Sequence, residues 1–195
     1  MKKTPSIIIV LILAIAGVFA YVNRASFWTA SRSTPAIADT RALALDARPD
    51  DIAAVSRYQY TRTYQNAMYH FSFKYPEDFS VSVIPADADR GNVILVQNIA
   101  KHIGMQILVT PFGGADMDMT AGVVQASIPG IKIEDAQPVL IGNDRTGLAF
   151  KSDNPAFGGS SREVWFVFRG NLYQISTYAE LDPLMKGVFS TWQFQ

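Results

Sequence analysis

The sequence contains no cysteine and only two histidines among its 195 residues. A chain without cysteine cannot form disulfides, hold a metal through thiolates, use a thiol as nucleophile or carry a lipid on an N-terminal cysteine. With two histidines, few sites for acid–base catalysis or metal binding remain. The sequence therefore predicts a protein that is not an enzyme and that binds no metal or cofactor.

Excess charge of either sign is also missing. The chain has 17 basic and 17 acidic side chains, and charged residues make up 17% of it. A protein that holds phosphate backbones needs a basic excess, so nucleic acid is excluded as the expected partner. The apolar share of 49% and the aromatic share of 12% are instead typical of a chain with a packed core.

The first long feature that is present is an apolar run near the N-terminus. After Lys2 and Lys3, residues 6–22 carry no charge, and Arg24 is the next charged residue. As a helix this run is about 25 Å long, at the lower end of what crosses a hydrocarbon core of about 30 Å. Residues 1–23 are therefore predicted to form one transmembrane helix and to make the membrane itself a partner.

Two interpretations of this segment remain open. A cleaved signal peptide has candidate cleavage sites after Ala16 and Ala20. An uncleaved signal-anchor is favoured because the apolar run continues past the first of these sites to Val22. Since Lys2 and Lys3 precede the segment, the positive-inside rule leaves the N-terminus in the cytoplasm and the rest of the chain outside. We expect a single-pass protein of the cell membrane with an extracytoplasmic C-terminal domain, or a secreted domain if the segment is cleaved.

Residues 24–62 are predicted to be a flexible linker. They are rich in Ala, Ser, Thr and Pro, with alternating charges and few bulky apolar residues. Residues 42–55 have enough apolar side chains for short helical turns, but Pro49 would interrupt a continuous helix. The globular domain is expected to cover residues 63–195.

Within that domain the pattern is mainly that of strands joined by tight turns. The predicted strands cover residues 69–75, 79–83, 93–96, 107–109, 137–141, 145–151, 162–168 and 172–178. Gly170 supplies the positive φ that a reversal between the last two strands requires. Because such turns join antiparallel neighbours, about seven strands should form a largely antiparallel sheet.

Two helices are predicted to cover this sheet. The first spans residues 120–128, where Thr120 can cap the N-terminus and Pro129-Gly130 ends the helix. The second opens at Asp182-Pro183, a capping residue followed by proline. Its apolar stripe consists of Leu184, Met185, Val188, Phe189 and Trp192. The fold class is therefore predicted to be α+β, with helices on the sheet.

The strand and helix patterns resemble those of a known family. The residues that carry the resemblance are Tyr69-x-Phe71-x-Phe73-x-Tyr75-Pro76-x-x-Phe79, the turn at Gly170-Asn171, and the terminal Phe189-Ser190-Thr191-Trp192-Gln193-Phe194. They are similar to the PsbP-like domains, which include the extrinsic P subunit of photosystem II and many small exported bacterial proteins. The resemblance covers roughly residues 64–195. It implies an α/β/α sandwich and an accessory or binding module, and it transfers no site residue.

None of the remaining candidates assembles a catalytic or metal-binding motif. His70 falls on the polar side of a predicted strand and His102 in a loop, and neither has metal-ligand spacing. Ser160 and Ser161 follow two glycines without forming a nucleophile elbow. The glycines at 113 and 114 lack the lysine of a phosphate loop. No catalytic, cofactor-binding or metal-binding residue is predicted.

Two other segments have plainer explanations. Asp116-Met117-Asp118 has alternating carboxylates but too few further oxygen ligands for Ca²⁺, so charge complementarity at a helix N-terminus is the favoured explanation. The run at residues 164–168, which contains Trp165 and Phe166, is expected to be a central core strand rather than an interface.

Together these observations predict a membrane-tethered, extracytoplasmic, non-catalytic binding or accessory domain with an unknown protein or envelope partner. The alternative is an extracytoplasmic protein that binds a small molecule or metal ion in a cleft near residues 116–118 or 154–161. A hydrolase built from scattered carboxylates has no supporting spacing.

Overall fold

The computed structural model describes residues 47–85, 91–113, 116–143 and 145–195. The predicted membrane segment at 1–23 and residues 24–46 of the predicted linker lie outside these ranges. Within them, no helix combines the length and the apolar character needed to cross a bilayer.

A seven-stranded sheet forms the centre of the domain. Its strands are β3 (Ser80–Pro85), β4 (Asn92–Asn98), β5 (Ile103–Pro111), β6 (Glu134–Ile141), β7 (Arg145–Ser152), β8 (Ser161–Phe168) and β9 (Asn171–Tyr178). Their order across the sheet is β3-β4-β5-β9-β8-β7-β6. Every neighbouring pair is antiparallel, which confirms a largely antiparallel sheet. The strand predicted at residues 69–75 is not part of this sheet.

A second, smaller sheet was not predicted. It consists of β1 (Tyr60–Asn66), β2 (Phe71–Pro76) and β10 (Gln193–Phe194), with β2 in the middle. Both pairings are antiparallel. The small sheet thus joins the start of the domain to its last residues.

The described residues contain three α-helices: α1 (Pro49–Ala54), α2 (Ala121–Ser127) and α3 (Asp182–Phe189). Thr120 caps α2 as predicted, since its hydroxyl accepts the Val123 backbone N–H at 3.3 Å. Asp182 does not cap α3. It is the first helical residue, and its carboxylate instead binds Arg162 at 3.0 Å and Lys186 at 2.6 Å.

The two faces of the central sheet bury different elements. On one face, which we call the α3 face, Val164, Phe166 and Phe168 of β8 pack in a core that includes α3 and the small sheet. On the other, the α2 face, Trp165 and Val167 of the same strand pack against α2 and the segment around it. All eight residues of β8 are buried, which agrees with the prediction of a central core strand. Helices therefore lie on both sides of the sheet.

Trp192 lies at the centre of the α3-face core and is 2% exposed. Its ring stacks on Phe71 at a centroid distance of 4.5 Å and on Phe73 at 5.4 Å. Phe166 meets it edge-on at 5.9 Å. The chain end after α3 is therefore fixed to both sheets by one aromatic cluster.

The predicted boundary between linker and domain at residue 62 differs from the structure. Helix α1 is followed by Val55, which is 1% exposed and belongs to the α3-face core. Tyr60 opens β1 and lies against Gly187 of α3, with its hydroxyl 3.4 Å from the Leu184 carbonyl oxygen. Pro49 does not interrupt a helix because it stands at the first position of α1, where its missing N–H costs nothing.

Candidate binding surfaces

Both histidines lie at turn positions of the backbone. His70 closes the turn between β1 and β2 with a φ of 56°, and His102 follows a 3₁₀ turn at Ile99–Lys101 with a φ of 55°. The prediction that His70 lies on a strand is wrong, because β2 begins one residue later at Phe71. Both side chains are exposed. In the described part of the chain, no three His, Cys, Asp or Glu residues come close enough to hold a metal ion.

Asp116 holds the turn between β8 and β9. Its carboxylate accepts the backbone N–H groups of Arg169 at 3.2 Å and Gly170 at 3.1 Å, and it binds the guanidinium of Arg145 at 3.0 Å. Partial burial disfavours its charge, but the two backbone donors and Arg145 outweigh that cost and lower the pKa of Asp116. The interpretation of Asp116 as a helix N-terminal charge is therefore replaced by a turn clamp.

The same turn places two guanidinium groups on one aromatic ring. The Cζ atoms of Arg145 and Arg169 lie 5.0 and 5.1 Å from the ring centroid of Phe168. Arg169 is exposed, and the exposed side chain of Met117 lies next to Asp116 in the sequence. We call Arg145, Arg169 and Met117, together with the buried Phe168 ring beneath the two guanidinium groups, the arginine surface. Cation–π contact and the Asp116 clamp fix the position of its charges.

Glu163 is a buried carboxylate on the α2 face, only 2% exposed. It accepts hydrogen bonds from the hydroxyls of Ser161 at 2.7 Å and Ser176 at 2.5 Å. The Asn154 amide and the Trp165 indole donate to it at 3.2 and 3.4 Å. Burial raises the pKa of Glu163, although all four donors act in the opposite direction. The only sequence signal for this group is a glutamate directly before the apolar run at residues 164–168.

Two further polar atoms on this face lack partners. The Ser152 hydroxyl and the Gln174 side-chain oxygen are buried and find no hydrogen-bond partner in the described structure. Ser152 lies opposite Ser161, and Gln174 lies opposite Trp165, one pair away from Glu163. The α2 face thus carries a buried polar group between its apolar residues.

The two loops named as alternative places for a small-molecule cleft lie at opposite ends of β8. Residues 154–160 precede β8, whereas Asp116 binds the turn that follows it. Seven residue steps along β8 separate these ends, about 23 Å at ~3.3 Å per residue. A cleft at one loop would therefore be separate from a cleft at the other. Ser161, the last residue of the second candidate loop, is fully buried and donates to Glu163.

The free edges of the sheets differ in how they are protected. Strand β6 carries Glu134, Asp135, Pro138 and an irregular register, and β1 carries Arg62 and a register shift. Strand β10 has only two residues. Strand β3 has no charged residue and pairs with β4 in unbroken register over its whole length. Charges, proline, bulges and short length are the usual means of blocking an edge. Among the described strands β3 is the least protected edge, with only Pro85 at its last position, and we call it the open edge.

Exposed apolar side chains lie beside this open edge. Val83 of β3 is 47% exposed, although its neighbours Val81 and Ile94 belong to the α3-face core. Met68, in the turn between β1 and β2, is 72% exposed. Its sulfur lies 3.6 Å from the Asn92 amide, and Asn92 pairs with Pro85 at the end of β3. The edge of β3 and the β1–β2 turn therefore form one exposed region.

The fold of the chain is similar to that of a solved structure. No protein-family model and no curated protein matches the chain. The solution structure of cyanobacterial PsbP (CyanoP) from Synechocystis sp. PCC 6803 is similar, with 10% sequence identity and a TM-score of 0.47. The match covers 69% of this chain and 92% of that chain. This neighbour carries the family name that the sequence pattern resembles, and the likeness concerns the fold alone.

Proposed function

We propose that the protein is a non-catalytic accessory domain, held to the outer side of a membrane by residues 1–23, that acts by binding a protein or envelope partner. The observation that carries the proposal is the arginine surface. It presents two guanidinium groups at fixed positions on an otherwise mildly acidic domain, which has ten basic and thirteen acidic residues from Arg62 onward.

The fixed positions of the arginine side chains favour binding because less side-chain entropy is lost when a partner binds. An arginine side chain in water loses about 0.5–1.5 kcal/mol of conformational freedom when it is immobilised at an interface. Arg145 is already held by Asp116 and the Phe168 ring. Since Arg and Met are enriched at interfaces, the exposed side chains of Arg169 and Met117 also support partner binding.

The chemistry of the surface indicates what it would bind. A guanidinium group recognises a carboxylate through paired N–H donors. Arg169 is exposed, and Met117, which follows the Asp116 that binds the Arg169 backbone N–H, is 42% exposed. The expected partner therefore presents an acidic side chain next to an apolar one.

The placement is tested with the full chain in its native cells. Cell fractionation should place it in the membrane pellet, and alkaline carbonate should not release it. Protease added to cells with a permeable or removed outer layer should digest the domain while a cytoplasmic marker survives. A soluble pool inside the cell would contradict the placement.

Binding is tested by a photo-crosslinking residue at position 117, with adducts identified by mass spectrometry. Arg169→Asn removes the guanidinium and suits the left-handed φ of 48° at this position, because asparagine tolerates that conformation. Lys74→Asn, at an exposed lysine of the small sheet, is the matched control. We expect Arg169→Asn to lose the adducts and Lys74→Asn to keep them. Equal adducts in both variants, or no more adducts at 117 than from a probe at exposed Leu140, would contradict the proposal.

A further inference from the structure

The open edge of β3 sets conditions on whatever covers it. An added strand must be uncharged and extended over about six residues, roughly 20 Å. Side chains opposite each other in an antiparallel pair lie on the same face, so residues opposite Val81, Val83 and Pro85 must be apolar. Residues opposite Ser80, Ser82 and Ile84, on the other face, must be compatible with two small polar side chains and one isoleucine.

The sequence of β3 itself meets these conditions. It reads Ser-Val-Ser-Val-Ile-Pro, with Val81, Val83 and Pro85 on the face of the exposed Met68. Ser80, Ser82 and the half-buried Ile84 lie on the other face. A two-fold antiparallel pairing of two copies, centred on Val83, places Val83 opposite its own copy and Val81 opposite Pro85. No charged side chain occurs in the strand, so no like charges face each other, which would otherwise disfavour a self-pair.

We propose that β3 pairs with β3 of a second copy of this chain, so that two seven-stranded sheets join into one across a two-fold axis. The inference is independent of the arginine surface and goes beyond the proposed function. Isologous contacts of this kind are the commonest way in which soluble chains associate. The other three sheet edges in the described ranges are blocked by charge, irregular register or short length.

The contact between the two β3 strands is small, so the dimer should be weak. A stable interface buries about 1,200 Å² or more in total. One edge strand of six residues together with Met68 offers less apolar contact than such an interface. The pairing should therefore depend on the amount of protein in the membrane, and the dimer should dissociate when the chain is diluted.

The absence of cysteine makes the pairing directly measurable. Val83→Cys in the full chain introduces its only thiol. Mild oxidation of native membranes should then give a disulfide-linked adduct of twice the chain mass. Leu140→Cys is the matched control, since Leu140 is 67% exposed on the opposite edge strand, β6. A scan of single cysteines from 80 to 85 should peak at the residue on the axis.

A second variant separates strand pairing from random collision. Ser82 is exposed, so Ser82→Lys should leave the folded domain intact while placing a charge on the edge, the usual device against edge pairing. In the Val83→Cys background, Ser82→Lys should reduce the dimer several-fold and Ser82→Thr should not. Equal crosslinking of Val83→Cys and Leu140→Cys, an adduct with a different protein, or no effect of Ser82→Lys would each overturn the proposal.

Discussion

Replacing Trp192 by alanine tests how the chain end is fixed to both sheets. The indole is 2% exposed and stacks on Phe71 and Phe73, with Phe166 edge-on. Truncation of a buried tryptophan costs about 3–5 kcal/mol, since the transfer free energy is lost and a cavity remains. At about 2–4 °C per kcal/mol for a domain of roughly 150 residues, the melting temperature should fall by about 6–20 °C.

The assay is thermal unfolding of the full chain in detergent, followed by near-ultraviolet circular dichroism. Trp192→Phe should cost less than Trp192→Ala, because a ring remains to stack and the buried indole N–H has no hydrogen-bond partner in the described structure. Leu140→Ala, at a side chain that is 67% exposed, should change stability by no more than about 0.5 kcal/mol. If Trp192→Ala melts like Leu140→Ala, the docking of α3 and the chain end on the sheet is wrong.

Three further changes test other parts of the structure by the same unfolding measurement. Burial raises the pKa of Glu163, so its contribution to the free energy of unfolding is complete below the unfolded pKa of about 4.3 and is lost as pH rises through the folded pKa. Glu163→Gln should flatten this decline, and an unchanged pH profile would contradict a buried carboxylate. Gly187→Ala should lower the free energy of unfolding by about 1–3 kcal/mol, because a Cβ there would overlap the ring of Tyr60. In the double variant with Tyr60→Ala, the total loss should be smaller than the sum of the two single losses. Strict additivity would contradict that contact. Val55→Ala should cost about 2 kcal/mol if residue 55 belongs to the core, and no cost would restore the predicted boundary at 62.

The strands were predictable because their signal is local. In β8, the buried apolar run and the glycine after it specify a central strand that ends in a tight turn. The turn contains two residues at positive φ, Arg169 at 48° and Gly170 at 69°. A glycine in the sequence indicates a positive φ, whereas an arginine does not. The sequence therefore predicted the positive φ only at Gly170.

The elements that were missed depend on contacts between distant residues. Strand β1 is mostly exposed, and five of its seven residues are polar, so its pattern resembles that of a linker. What fixes it is pairing with β2 and the contact of Tyr60 with α3, more than 120 residues away in the chain. The local sequence pattern around β1 cannot indicate a contact with a residue so far away in the chain.

In the candidate surfaces, too, local features could be predicted from the sequence and features that depend on distant residues could not. Asp116 was identified as a notable carboxylate, but its partner Gly170 lies 54 residues further along the chain. The openness of β3 follows from its place at the end of the strand order. The residues of β3 show that the strand is uncharged, but only the topology shows that it is an edge.

The two proposals make a joint prediction, because strand order separates their surfaces. From β3, the turn between β8 and β9 lies three to four strands away, and Arg145 on β7 lies five away. At ~4.8 Å per strand these separations are about 14–24 Å, so a second copy at β3 need not cover the arginine surface. Arg169→Asn should therefore leave the Val83→Cys dimer unchanged, and Ser82→Lys should leave the adducts at position 117 unchanged. If either variant abolishes both signals while the domain still melts normally, one surface must serve both contacts, and the separate assignments are wrong.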